Sequence, residues 1–124
     1  MKNLELFKIS SEILSEFENQ FKKFVDSILV DMPMGLRDIF YYHLGIVGYD
    51  KSRMSVGKRI RPLLLLICLN ANTKDWRRGL QLAAAVELIH NFSLIHDDIE
   101  DNSPLRRGQE TVWKKWGLAQ AVNS

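Results

Sequence analysis

Between Leu80 and Asp101 the chain has no proline, no glycine and no apolar–polar alternation, so the stretch reads as one long helix. Nothing interrupts it until Asn102, Ser103 and Pro104. Leu80, Ala83, Ala84, Leu88 and Phe92 lie on sides that can meet neighbours. A helix of this length needs partners of its own kind, and the rest of the chain supplies them. Leu14, Phe17, Phe21, Phe24 and Ile28 recur in steps of three and four, with Glu16, Glu18, Lys22 and Lys23 mostly elsewhere. Ser10 or Ser11 is the expected N-cap of that helix, and Pro33 and Gly35 end it. A shorter helix runs through Leu36, Ile39, Phe40 and Leu44 and stops near Gly45 or Gly48. Residues 49–57 read as a loop. A third helix starts near Lys58 with Pro62 in its first turn, where the missing N–H is no loss. Its run from Leu63 to Leu69 is apolar on every side, as in a helix buried in a bundle. Asn70 to Asp75 is a polar turn in which Thr73 or Asp75 can cap the next helix. A last helical pattern runs from Thr111 to Ser124. No strand of useful length, internal repeat or low-complexity segment is visible. The fold class is therefore all-α, an antiparallel helical bundle with short connections.

Composition narrows the function. The chain has 124 residues, enough for a single domain spanning 1–124 or part of one, and such a chain buries roughly two-thirds of its unfolded surface. Seventeen Lys and Arg against 15 Asp and Glu leave a net charge of only +2, which excludes a polybasic nucleic-acid binder as the default. Trp113 and Trp116, three apart, read as core or interface residues. Cys68 is the single cysteine, so neither an intramolecular disulfide nor a cysteine zinc cage can form, and it reads as a core residue. The start of the chain is interrupted by charges, unlike a secretory signal, and the longest apolar run is far short of the ~20 residues that cross a bilayer. We expect a cytoplasmic protein with no stable membrane insertion. The apolar run Gly117 to Val122 meets the end of the chain without a cap, from which we expect a fragment or a half that needs a partner.

Four features can carry chemistry. Asp97, Asp98, Ile99, Glu100 and Asp101 put four acids in five residues, which repel unless cations offset them. On a helix Asp97 and Asp101 share a face with Cβ atoms ~5–6 Å apart, a spacing that suits Mg²⁺. The same residues also read as a solvated helix end, although acid at a helix C-terminus opposes the macrodipole. His90, seven residues before Asp97, lies on the same stripe, or is a buried histidine bonded to a neighbour. Lys58 and Arg61 share a face at a helix start, where the free N–H groups and the dipole favour anions; a solvated basic turn reads as well. Arg106 and Arg107, beyond the Pro104 turn, can return to the acidic cluster. The order basic, histidine, acidic, basic describes a pocket that holds metal ions against more than one phosphate group.

Gly57-Lys58-Arg59-Ile60-Arg61-Pro62, Leu88-Ile89-His90, Leu94-Ile95-His96-Asp97-Asp98-Ile99-Glu100-Asp101 and Leu105-Arg106-Arg107-Gly108 together resemble the trans-isoprenyl diphosphate synthases, or polyprenyl synthetases, over residues 10–124. The resemblance implies the N-terminal half of an all-helical isoprenoid synthase fold. It also implies condensation of isopentenyl diphosphate with an allylic diphosphate. Lys58, Arg61, His90 and Arg107 are then ligands of isopentenyl diphosphate, Asp97 and Asp101 ligands of Mg²⁺, and Arg106 a contact to the allylic diphosphate. The catalytic set is Asp97, Asp98, Asp101 and Arg106. Phe92 and Ser93, just before the aspartates, resemble the floor of enzymes making farnesyl to geranylgeranyl diphosphate. Homodimers are usual in the family, so a homodimer or other self-association is expected. The family's second aspartate-rich motif is absent from these residues, from which we expect no turnover by this chain alone. Glu110 stands where many relatives have proline. A non-catalytic diphosphate-binding subunit of a heteromer, and a metal-dependent phosphohydrolase built on His96-Asp97, are the competing readings.

Overall fold

In a computed structural model, which describes residues 2–46 and 57–124, the fold is all-α apart from one short ribbon. The helices are α1 (Lys2–Leu29), α2 (Met34–Leu44), α3 (Ile60–Thr73), α4 (Leu80–Glu100), α5 (Val112–Trp116) and α6 (Leu118–Val122). A 3₁₀ turn, Trp76–Gly79, leads into α4. The two-residue strands β1 (Leu105–Arg106) and β2 (Gln109–Glu110) pair antiparallel, Leu105 opposite Glu110 and Arg106 opposite Gln109, where no strand was expected. The expected loop over residues 49–57 lies outside the described residues except for Gly57. Among the described residues no helix is long and apolar enough to cross a membrane.

The described residues form two compact units, Met1–Val30 with Lys58–Leu88 and Asp31–Gly57 with Ile89–Ser124. In the first, α1 packs against α3. The buried line on α1 is Ile13, Phe17, Phe21, Val25 and Leu29. The expected stripe shares only Phe17 and Phe21 with it, and Ile28 is 40% exposed. Steps of four follow one of the natural ridges of a helix, which a packing neighbour tracks. Phe17 and Phe21 stack at 5.3 Å. Ser10 and Ser11 are not caps: α1 begins before them, and their hydroxyls donate to the carbonyls of Leu6 and Phe7. α3 is not buried all round. Pro62 and Leu66 are buried, whereas Leu64 is 57% exposed and Cys68 lies on the surface rather than in the core. α3 runs on to Thr73, and the polar turn is short. The Thr73 hydroxyl accepts the Asp75 N–H at 3.2 Å, but Asp75 makes no side-chain cap.

In the second unit Ile39, Ile95, Val112 and Ala121 form a core, with Ile99, Trp113 and Trp116 packed against it. α2 closes at Gly45, whose N–H reaches the carbonyls of Tyr41 and Tyr42. Tyr42 meets Trp116 edge-on at 4.9 Å, and its hydroxyl donates to the Glu110 carbonyl at 2.8 Å. The single helix expected from Thr111 onward is two. Gly117 adopts φ 92°, a conformation that side-chain-bearing residues rarely reach, and it turns the chain between α5 and α6.

Candidate functional site

The acidic run sits where α4 ends. The Asn102 N–H bonds to the Ile99 carbonyl at 3.2 Å and the Ser103 N–H to the Asp98 carbonyl at 2.9 Å. Asn102 takes the left-handed conformation, φ 50°. This is the Schellman closure, for which asparagine is the second choice after glycine. It satisfies the last carbonyls and fixes where the four acids point.

They point in different directions. Asp97 and Asp101 are exposed, and the Asp101 N–H still donates to the Asp97 carbonyl at 2.9 Å, so the two lie one turn apart. Asp98 is 3% exposed and faces inward. Arg106 grips it with two parallel bonds, Nε to Oδ2 at 2.9 Å and Nη2 to Oδ1 at 2.8 Å. That bond raises the Arg106 pKa above its ordinary value, although partial burial works against it. The ribbon makes the return possible. Arg107 at φ 52° and Gly108 at φ 78° form the tight turn, which needs two residues of positive φ. The Thr111 hydroxyl and the Trp113 indole N–H both donate to the Ser103 carbonyl and anchor the base of the ribbon.

Arg107 lies against Gly57. A Cβ at Gly57 would stand 2.7 Å from its Nη2, so glycine gives the guanidinium its place. Behind the ribbon is a cavity of about 30 Å³, lined in part by His43, Asp98, Arg106, Arg107, Gln109 and Thr111. That is room for about one water molecule. His43 Nε2 is buried there and has no hydrogen-bond partner among the described residues. Burial first, then the Arg107 and Arg106 charges, lower the His43 pKa from 6.5 to about 4; Asp98 and a hydrogen bond with Asn91 act in the opposite direction. The imidazole is thus neutral at physiological pH. Sequence reading passed over His43, although its place four residues after Ile39 and three after Phe40 put it on their side of the helix.

Of the other expected residues, His90 shares the α4 stripe with Asp97, and the Ser93 hydroxyl donates to the His90 carbonyl at 2.7 Å. Phe92 meets Phe40 edge-on at 5.5 Å. Lys58 and Arg61 belong to the first unit, and both are exposed. Between them Arg59 is 5% exposed and turned inward. Its Nε donates to Glu18 Oε1 and its Nη1 to Glu87 Oε1, each at 2.7 Å, and its guanidinium lies 4.8 Å from the centre of the Phe21 ring. Sequence reading missed this cluster. Glu87, the one acid among the apolar residues from Leu80 to Ile89, was the available signal. Among the described residues no three His, Cys, Asp or Glu side chains converge as a metal cage.

A family model described as polyprenyl synthetase matches residues 49–124. The geranylgeranyl diphosphate synthase of Saccharolobus solfataricus is 37% identical over 98% of this chain and 33% of its own length. The farnesyl diphosphate synthase of Bacillus subtilis is 40% identical over 85% of this chain and 32% of its own. Among solved structures, a geranylgeranyl pyrophosphate synthetase from Pyrococcus horikoshii superposes with a TM-score of 0.73 at 32% identity, covering 98% of this chain and 34% of that one. A polyprenyl synthetase from Streptomyces coelicolor superposes with a TM-score of 0.75 at 30% identity, covering 91% and 33%. The chain therefore spans about a third of the length of the relatives it matches, less than the half that the motifs implied.

Proposed function

Because the chain belongs to the polyprenyl synthetase family, we propose that its residues form the first part of a site that condenses isopentenyl diphosphate with an allylic diphosphate. The observation that carries this reading is the division of labour within the acidic run. Asp98 is consumed by Arg106, which leaves Asp97 and Asp101 as an exposed pair of carboxylates one turn apart.

That pair fits Mg²⁺, which takes one or two protein carboxylates and completes its shell with water and phosphate oxygens. When bound, Mg²⁺ supplies positive charge opposite the departing diphosphate. Arg106 adds to this. Its Nε and Nη2 are committed to Asp98, and its Nη1 edge is left to meet a phosphate oxygen. Asp98 is on this reading a positioning residue for Arg106 rather than a group that touches substrate. The family resemblance assigns Lys58, Arg61, His90 and Arg107 to the second diphosphate, the one whose substrate carries the attacking double bond. Gly57 serves the same end by admitting the Arg107 guanidinium. Phe92, steadied by Phe40, forms the floor beneath the growing chain with Ser93 beside it, and apolar walls keep water from the cation. A Phe92→Ala substitution in the active protein should lengthen its products, as read by chromatography of the released alcohols.

Calorimetry tests the metal pair without requiring turnover. Inorganic pyrophosphate titrated into this chain should give heat that grows with Mg²⁺. Asp97→Asn combined with Asp101→Asn should abolish the Mg²⁺-dependent part. Equal Mg²⁺-dependent binding by the double variant would remove the reading.

A further inference from the structure

In the basic segment Lys58-Arg59-Ile60-Arg61 one side chain of the four turns inward. Lys58 and Arg61 are exposed, Ile60 is 54% exposed, and Arg59 between them is 5% exposed. The inward turn is made at Arg59 itself, whose backbone sits at φ 52°, uncommon for a residue with a side chain. The Arg59 carbonyl accepts the Leu63 N–H at 3.1 Å, so the same residue starts α3. No side chain caps this helix start. What holds the backbone there is the guanidinium, forked between Glu18 of α1 and Glu87 of α4 and laid over Phe21.

We propose that Arg59, clasped by Glu87 and Glu18, is a positioning residue that sets the aim of Lys58 and Arg61 toward a diphosphate. The inference rests on the diphosphate reading above and names a part of the machinery that this reading leaves out. Arg59 and Glu87 are both buried, with side chains 4% exposed, and a fork of two short charged bonds tolerates little displacement. Lys58 and Arg61 flank that fixed point at one and two residues' distance. Loss of one carboxylate frees the turn at Arg59 to relax from its left-handed backbone, and the flanking cations on either side of it then shift.

Two readouts on this chain separate the clasp from the site it serves. The first uses no ligand. In Glu87→Gln, which keeps the shape and removes the charge, the backbone amide resonances of Lys58, Arg59 and Arg61 should shift. The second is titration with inorganic pyrophosphate in the absence of Mg²⁺. Glu87→Gln should weaken binding at least tenfold while circular dichroism retains the helical signal. Arg59→Lys, which keeps a charge but cannot fork, should retain more of the parent's melting temperature than of its affinity. Should Glu87→Gln fail to fold, Glu18→Gln removes the more exposed carboxylate and is read in the same way. Unmoved resonances with affinity within twofold of the parent overturn the proposal. Shifted resonances in a parent chain that does not bind pyrophosphate uphold the clasp and defeat the diphosphate reading instead.

Discussion

His43 shows how much a single side chain outside the recognised motifs can carry. Its pKa in the fold, about 4, lies below the ordinary 6.5, so between those values the unfolded chain binds a proton that the folded chain refuses. The His43 contribution to stability is therefore fully present above about pH 6.5, falls as pH drops toward 4, and changes no further below. The shift corresponds to on the order of 3 kcal/mol. His43→Gln should flatten this part of the profile, so that urea denaturation at pH 7 and pH 4.5 shows a smaller loss in the variant than in the parent. Gly57 acts at the same scale by being small. Gly57→Ala should displace the Arg107 guanidinium, visible as a moved Arg107 side-chain resonance, with little change in the melting temperature.

At the scale of elements, the ribbon β1–β2 depends on a helix it does not belong to. Asp98 on α4 is its anchor, and Asp98→Asn would leave Arg106 without its charged partner. The loss should be about 3 kcal/mol, at the low end for a broken buried pair because Arg106 keeps 29% exposure. Denaturant titration checks it. The sequence made α4 legible because nothing in it opposes a helix, and its end was legible because Asn102 and Pro104 are strong local signals. The motif residues were legible as types and as spacings. Which acid faces inward was not, because Asp97, Asp98 and Asp101 are chemically identical and only the returning ribbon tells them apart. The ribbon itself was hidden because two-residue strands have no period to read. Arg59 was hidden among cations because its partners lie far off in sequence, on α1 and α4. The phase of α1 and the exposure of α3 were missed because periodicity reports that a face is apolar, not what covers it.

At the scale of the whole molecule, the apolar residues that remain exposed, Leu64, Leu82 and Ile89 among them, should drive self-association. Light scattering should find species larger than one chain, and a monodisperse monomer would count against it. With one aspartate-rich motif among its residues, the chain by itself should give no condensation product above background in a radiolabelled assay. The continuity of α4 has an evolutionary consequence. Glu87 and Asp98 are tied to a common pitch by an uninterrupted helix. Inserting or deleting one codon between them would rotate everything downstream by about 100°, presenting a dry carboxylate to water and a wet one to the interior. Over that interval the number of residues is constrained separately from their identities.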